Sequence, residues 1–299
     1  MVMHKRMGDG GTRRGVWLAL ASLLAAPAAQ AVDVDAGDYT ALPPGTNLAL
    51  VYFQHAGRDT LYAGGDRQPI DPSLDSNVGI LRGVHYMEIG GFTVDPQFLL
   101  PFGRLKAGGD TAALGDASGV GDLILAATVW LVNKPEEKTW FGITPFLYLP
   151  TGRYDRKDAL NLGENRWKFA LQAGYIQGLG DRFSLDLIGD VTLYGKNDDF
   201  GAGSADMKQD ASYQFQTFLR YHLSPTWDLR AGYSRTWGGE TEVDDVDMDD
   251  RPNVSKFSLG TGYFVSPTTQ LLATWGRDIS VDNGFKEDNR INLRMLFVF

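Results

Sequence analysis

The sequence ends in Arg290-Ile-Asn-Leu-Arg-Met-Leu-Phe-Val-Phe299, and this stretch decides the fold. Successive side chains of a strand point to opposite faces, so one face here carries only apolar residues, namely Ile291, Leu293, Met295, Phe297 and Phe299. Backbone polar groups in a bilayer must pair within the protein, so a strand that faces hydrocarbon belongs to a closed barrel. The stretch therefore favours a transmembrane β-barrel. The alternative is the last core strand of a soluble β-sandwich.

The N-terminal end has the features of a secretory signal peptide. An apolar run over residues 16–29 follows four basic residues, namely Lys5, Arg6, Arg13 and Arg14. Ala29-Gln30-Ala31 then fits the small-x-small pattern that signal peptidase cuts. The run is too short to cross a bilayer as a helix. We expect residues 1–31 to be removed, so that the mature chain begins at Val32 outside the cytoplasm.

The composition narrows the chemistry that this chain can perform. It contains no cysteine, which excludes disulfides, thiolate metal sites and thiol nucleophiles. The formal net charge is −9, and removal of residues 1–31, which hold four basic residues and one acid, makes it −12. This charge argues against a nucleic-acid partner, because phosphate binding needs the opposite sign. No bound cofactor is predicted.

After Val32 the chain divides into segments of about ten residues, the length that a tilted strand needs to cross the hydrocarbon layer. We predict an all-β, antiparallel up-and-down barrel of about twelve strands. Their centres lie in residues 47–55, 78–88, 91–103, 119–132, 139–150, 165–178, 182–194, 210–223, 226–237, 253–265, 268–279 and 290–299. About ten strands is the alternative, because Arg82, Glu88 and Asp95 disturb the alternation early in the chain.

Short and long connections alternate between these segments. Ile89-Gly90 and Ser266-Pro267 are examples of the short ones, whereas residues 151–164 form a long one. Because short and long connections alternate strictly, the chain enters the first strand and leaves the last strand at the short-turn end of the barrel. This is the arrangement of barrels with periplasmic turns and long external loops. We predict one barrel over residues 47–299. Residues 32–46 form either a periplasmic tail or a plug inside the barrel.

Apolar and polar residues alternate clearly in the later strands, which places lipid on one side and water on the other. The polar face supplies our candidates for the lumen lining, which are Asp186, Asp190, Gln214, Gln216, Arg220, His222, Asp228, Arg230, Asn292 and Arg294. These residues either select solutes or pair with one another and fill the barrel. About twelve strands lie between a filled small barrel and a wide aqueous one, which favours a narrow or plugged pathway.

Aromatic side chains near predicted strand ends suit the membrane interface. They are Trp140, Trp167, Trp227, Trp237 and Tyr263. The final strand also resembles the C-terminal signal of bacterial outer-membrane barrels, whose last residue is usually Phe. That resemblance implies that barrel-assembly machinery recognises the Phe299 strand. It also implies the outer membrane of a Gram-negative bacterium, where lipid and lipopolysaccharide surround the barrel.

Three motifs in the middle of the chain carry a family resemblance. They are Gly119-Val-Gly-Asp122, Pro145-Phe-Leu-Tyr-Leu-Pro150-Thr151-Gly152-Arg-Tyr154 and Asn161-Leu-Gly163-Glu-Asn165-Arg-Trp167. Together they resemble the outer-membrane family named for the meta-pathway of phenol degradation. The resemblance implies a barrel that is linked to aromatic catabolism and moves hydrophobic or aromatic molecules. As residue types, Pro, Gly and Asn are turn and loop signals, so we predict structural roles for these motifs.

We predict a passive channel without enzymatic activity, and two other functions stay open. A barrel hydrolase or acyltransferase would need a general base such as His222, which could meet Asp186 or Asp228 across the lumen, although no known catalytic motif surrounds it. A structural or adhesive barrel would act through its loops. Residues 240–250 contain seven acids, and we predict a solvated loop there rather than a calcium or magnesium site.

Overall fold

The computed structural model describes residues 33–299, so the predicted signal peptide lies outside the described residues. Its main sheet closes into a barrel of twelve antiparallel strands. They are β1 Asn47–Arg58, β2 Pro72–His85, β3 Phe92–Gly109, β4 Leu123–Lys134, β5 Thr139–Leu149, β6 Lys168–Leu179, β7 Phe183–Tyr194, β8 Ser212–Ser224, β9 Trp227–Gly238, β10 Asn253–Ser266, β11 Thr269–Val281 and β12 Asn289–Val298. Strands adjacent in sequence pair with each other, and β1 pairs with β12. The predicted fold class and strand count are confirmed.

Short turns lie at one end of the barrel and long loops at the other. The start of β1 and the end of the chain meet at the short-turn end, where Asn47 and Phe299 exchange backbone hydrogen bonds of 2.9 and 3.0 Å. At the other end the loops form two small sheets of their own, built from Thr60–Ala63, Asp66–Arg67 and Gly284–Lys286, and from Asn197–Phe200, Ala205–Gln209, Thr241–Val243 and Val246–Asp247. The asymmetry predicted for the connections is therefore present.

Three smaller groups of elements complete the described residues. Met87–Ile89 pairs with the start of β3, and Asp116–Val120 pairs with the loop-side half of the same strand. Single 3₁₀ turns span Ala112–Leu114 and Pro135–Glu137. Within residues 33–299 no helix has both the length and the apolar character needed to cross a membrane.

The two faces of β12 show which side of the barrel is apolar. Leu293 is 47% exposed on the outside, whereas Arg294 is 6% exposed on the inside. A soluble sandwich would bury the leucine and expose the arginine, because burying apolar surface is favourable whereas burying a charge is costly. The outward apolar face is the arrangement of a transmembrane barrel.

Aromatic rings flank this apolar band at both ends. Trp227 and Tyr263 meet near the short turns with ring centroids 6.1 Å apart, and Tyr213 stacks on Trp237 near the loops at 5.9 Å. The prediction for Trp140 is wrong, since this residue packs inside the barrel beside Tyr39. Even-numbered residues of β5 face the lumen, so proximity to a strand end did not by itself determine the direction of this side chain.

Candidate functional site

The segment Asp33–Tyr39, called the plug below, lies inside the barrel. Ala36 and Tyr39 are each 4% exposed. The backbone N–H of Asp38 donates to the carbonyl of Asp35 at 3.1 Å, and Gly37 adopts a φ of 93°, which glycine accepts without strain. These features fold the plug into a compact turn. The chain then leaves toward the short-turn end, where Gly45 donates to the Tyr86 carbonyl at 2.7 Å.

Arginines of the barrel wall hold the acidic side chains of the plug. Asp33 pairs with Arg290 at 2.6 Å. Arg294 contacts two plug acids, Asp35 at 2.9 Å and Asp38 at 2.8 Å. Asp38 also pairs with Arg82 of β2 at 3.0 Å. Buried charges are tolerated only when they are paired and hydrogen-bonded, so these contacts fix the position of the plug.

The opposite side of the plug contacts the wall through its backbone. Arg230 of β9 donates to the carbonyl of Ala36 at 3.0 Å. Asp186 of β7 accepts the backbone N–H of Gly37 at 2.6 Å and pairs with Arg220 at 3.0 Å. Charged groups on both sides of the lumen therefore contact the same short segment.

Tyr39 fits a gap that the wall leaves for its ring. A Cβ on Gly174 would lie 2.2 Å from that ring, so only glycine leaves room there. The phenol oxygen of Tyr39 lies 2.9 Å from Thr144 Oγ1 and donates to Gln172 at 3.0 Å. The indole N–H of Trp130 donates to the Tyr39 carbonyl at 3.1 Å. Tyr39 is thus the anchor of the plug in the glycine-containing wall of β5 and β6.

The structure places every sequence candidate for the lumen on the inner face. The buried members are Asp186, Asp190, Gln214, Gln216, Arg220, Asp228, Arg230 and Arg294. Asn292 lines the remaining cavity. Gln214 donates to Asp33 at 2.9 Å, which links a candidate directly to the plug.

His222 has a different partner from those expected. Its Nε2 lies 2.9 Å from Ser184 Oγ. The carboxylates of Asp186 and Asp228 are instead engaged by Arg220 and Arg230, the second pair at 2.7 Å. Because no carboxylate hydrogen-bonds His222 among the described residues, the orienting acid of a catalytic triad is missing from this part of the chain.

Several inward charges were not among the sequence candidates. Arg82 and Asp95 disturb the alternation in the sequence, yet both lie inside, where Arg82 donates to Gln97 at 2.8 Å and Asp95 accepts the Thr128 N–H at 2.7 Å. Apolar residues such as Ile80 also point inward at this position, so the sequence pattern does not reveal a polar face there. Arg290 was detectable, since it shares its face with Asn292 and Arg294 by strand parity.

A cavity of about 160 Å³ remains between the plug and the wall. Small residues of β9, β10 and β11 leave this space, namely Gly232, Ser234, Ser258, Gly260, Thr274 and Gly276. A Cβ on Gly260 would lie 2.4 Å from Thr274 Cγ2, so this part of the cavity lining leaves no room for a side chain at residue 260. Ile80, Leu99 and Leu272 add an apolar part, and the wall arginines that contact the plug add a charged part.

The central motifs form a compact external loop outside the cavity. The backbones of Gly152 and Gly163 touch, since a Cβ on Gly163 would lie 2.7 Å from the Gly152 carbonyl carbon. Asp122 accepts the backbone N–H groups of Gly152 at 2.8 Å and Glu164 at 2.9 Å. Burial alone would raise the pKa of Glu164, but ion pairs with Lys168 and Arg166 lower it to about 2. These contacts agree with structural roles for the motifs.

The acidic loop is braced by hydrogen bonds and ion pairs. Lys208 contacts Glu242 at 2.7 Å and Asp245 at 2.9 Å. Thr241 donates its backbone N–H to Asp250 at 2.8 Å, and burial raises the pKa of this carboxyl. No cluster within residues 33–299 has the arrangement of a metal site.

The apolar outer band, the closed sheet and the polar lumen define a transmembrane β-barrel, with the segment Asp33–Tyr39 lying inside it. The chain belongs to the family described as "Putative MetA-pathway of phenol degradation", which matches residues 56–295. It is 47% identical to an outer membrane channel from Pseudomonas putida F1, with a TM-score of 0.86 over 89% of this chain and 100% of that one. No curated protein sequence matches.

A more distant structure shows the fold alone. The β domain of the Bordetella autotransporter BrkA is 9% identical to this chain, with a TM-score of 0.50. The likeness covers 86% of this chain and 100% of that domain.

Proposed function

We propose that the protein is an outer-membrane channel for passive uptake of small hydrophobic or aromatic molecules, linked to aromatic catabolism. The observation that carries this proposal is the cavity beside the plug, where Ile80, Leu99 and Leu272 offer an apolar wall. The space is that of a narrow path rather than an open sieve. Family membership and the 47% identity to an outer membrane channel support the same function.

In this proposal a solute is captured among the external loops, passes between the plug and the wall, and leaves toward the periplasm. The candidate lumen residues that contact the plug, such as Asp186, Gln214 and Arg294, hold it in place, and others such as Asn292 line this path. The sequence has no phosphate-cradling glycine loop for a nucleotide, so the solute moves down its concentration gradient.

A pair of tryptophan substitutions tests the path. Ser234 lines the cavity, whereas Ala231 on the same strand is exposed on the outer face. Ser234→Trp should reduce uptake of radiolabelled naphthalene, in Gram-negative host cells that produce the protein, to the level of cells without it. Ala231→Trp adds the same ring outside and should leave uptake unchanged. Equal uptake by the two variants, at equal amounts of folded barrel, would overturn the proposal.

We also propose the export route that the sequence predicts. Signal peptidase releases residues 1–31, and N-terminal sequencing of the purified protein should then begin at Val32. Phe299 is 74% exposed at the end of β12 and is the residue that barrel-assembly machinery recognises in this proposal. Phe299→Ala should lower the amount of heat-modifiable barrel in the outer membrane, where lipid and lipopolysaccharide surround the protein.

A further inference from the structure

Two of the arginines that hold the plug, Arg82 and Arg294, occupy one sector of the wall. Arg82 lies on β2 and Arg294 lies on β12, with β1 between these strands. Tyr52 of β1 is the register partner of Arg294 on one side and of Ile80 on the other. Leu272 of β11 is the partner of Arg294 on its far side. One row across four strands therefore contains, in order, Ile80, the phenol of Tyr52, the guanidinium of Arg294 and Leu272.

The wall gives these two guanidinium groups neutral partners, and the plug supplies the charge. Arg82 donates to Tyr52 at 3.1 Å and to Gln97 at 2.8 Å. Arg294 donates to Gln270 at 2.7 Å. Among the described residues, the carboxylates paired with Arg82 and Arg294 are those of Asp35 and Asp38 in the plug.

Removal of the plug would leave Arg294 without either of its paired carboxylates, and would leave Arg82 with the weaker charge interaction of Asp95 on β3. A guanidinium in a low-dielectric lumen is stabilised by a paired anion, so an anion that replaces the plug carboxylates favours the open state. The cavity borders the same two arginines, and Ile80 and Leu272 lie beside them in the row described above. A small molecule with a carboxylate at one end and an apolar body would satisfy both parts of this wall.

We infer that the preferred solutes are amphiphilic carboxylates, which displace the plug by competing with Asp35 and Asp38 for Arg82 and Arg294. This inference rests on the proposed channel function and adds the chemical class of its solutes. The plug acts as an internal mimic of the solute's anionic group. Carboxylate–guanidinium pairs are charge-assisted hydrogen bonds and are geometrically specific, so a neutral isostere does not replace them.

The chain contains no cysteine, so Ala36→Cys creates a single reporter in the plug. The residue it replaces is 4% exposed, and a thiol there reacts with a water-soluble maleimide only when the plug moves. Benzoate should raise the rate of labelling about tenfold, the scale of one charge-assisted hydrogen bond. Benzamide, its neutral isostere, should leave the rate unchanged. Decanoate, an aliphatic carboxylate, tests in the same assay whether the response requires an aromatic ring.

Charge variants in the Ala36→Cys background test the competition. Asp35→Asn combined with Asp38→Asn should give fast labelling without benzoate. Arg294→Gln should abolish the benzoate response, and Arg82→Gln serves where that variant does not fold, as judged by heat-modifiable migration. Arg104→Gln is the control, because Arg104 forms an exposed pair with Asp116 in another part of the barrel. Its benzoate response should be unchanged.

Equal labelling with benzoate and benzamide would overturn the inference, as would an aspartate double variant that labels no faster than its parent. The result is independent of the naphthalene assay. Naphthalene uptake without a benzoate effect would support the channel proposal and contradict carboxylates as its preferred solutes. A benzoate effect without uptake would support the displacement step and contradict the channel.

Discussion

The ring of Tyr39 lies against the backbone of Gly174, where a Cβ would come within 2.2 Å of the ring. This contact joins the plug to the inner face of β6. The wall of β6 therefore accepts the plug only because residue 174 has no side chain.

Gly174→Ala should loosen the plug, since the added methyl group and the tyrosine ring cannot occupy the same space. We expect higher single-channel conductance in planar bilayers and longer open times. Gly189→Ala on β7 is the matched control, because the nearest atom to its Cβ would be 3.8 Å away. Unchanged conductance in a folded Gly174→Ala barrel would contradict a role for this contact in closure.

Glu287→Gln should destabilise the barrel strongly. Glu287 is 1% exposed and lies 2.6 Å from Arg58, 3.0 Å from Lys256 and 3.5 Å from Arg290. Loss of its charge leaves these cations without a common anion, at a cost of about 3–5 kcal/mol in the free energy of unfolding. Asp116→Asn removes an exposed ion pair with Arg104 and should cost under about 1 kcal/mol. Denaturant unfolding in detergent micelles measures the free energy of unfolding of both variants. Similar losses in Glu287→Gln and Asp116→Asn would show that the buried ion pairs of Glu287 do not stabilise the barrel more than an exposed pair does.

Glu164 should make the stability of the external loops depend on pH. Its pKa is lowered from 4.5 to about 2, so the folded state binds fewer protons than the unfolded state between these values. The stabilisation is therefore complete above the unfolded pKa and is lost as the pH falls through the folded pKa. Glu164→Gln should cost about 3 kcal/mol at about pH 7 and much less near pH 2.

Limited proteolysis of the loop that contains Glu164 measures this difference across the pH range. Glu242→Gln is the control, because its partner Lys208 is exposed and such pairs contribute little. A loss of protection that stays constant from neutral to acid pH in Glu164→Gln would show that its charge is not the cause.

His222→Ala should leave transport intact. Among the described residues, its imidazole has one hydrogen-bond partner, Ser184, and no carboxylate partner to orient it. We expect unchanged naphthalene uptake and no hydrolysis of p-nitrophenyl acetate above the buffer rate in either form. Esterase activity that disappears in a folded His222→Ala barrel would support the enzyme alternative instead.

The strands could be predicted because lipid imposes a pattern of period two on each of them. Leu293 and Arg294 illustrate this, since neighbouring positions must meet hydrocarbon and lumen in turn. The pattern is weaker in β2 and β3, where Ile80 and Leu99 line the cavity from the inner face. Interior apolar residues mimic lipid-facing ones, so polarity alone did not separate the two faces there. Trp140 was misplaced for a related reason, because an aromatic ring suits both a lumen and an interface.

The sequence alone predicted the closed barrel, a count of about twelve strands, the faces of the later strands and the side on which the turns lie, because these follow from local periodicity and from the need to pair every backbone group in lipid. Only the tertiary structure decided which inward charges meet. Asp38 contacts Arg82 and Arg294, which are distant from it and from each other along the chain. Strand parity assigns a side chain to a face, but its partner depends on register around the closed sheet and on the path of the plug through the lumen.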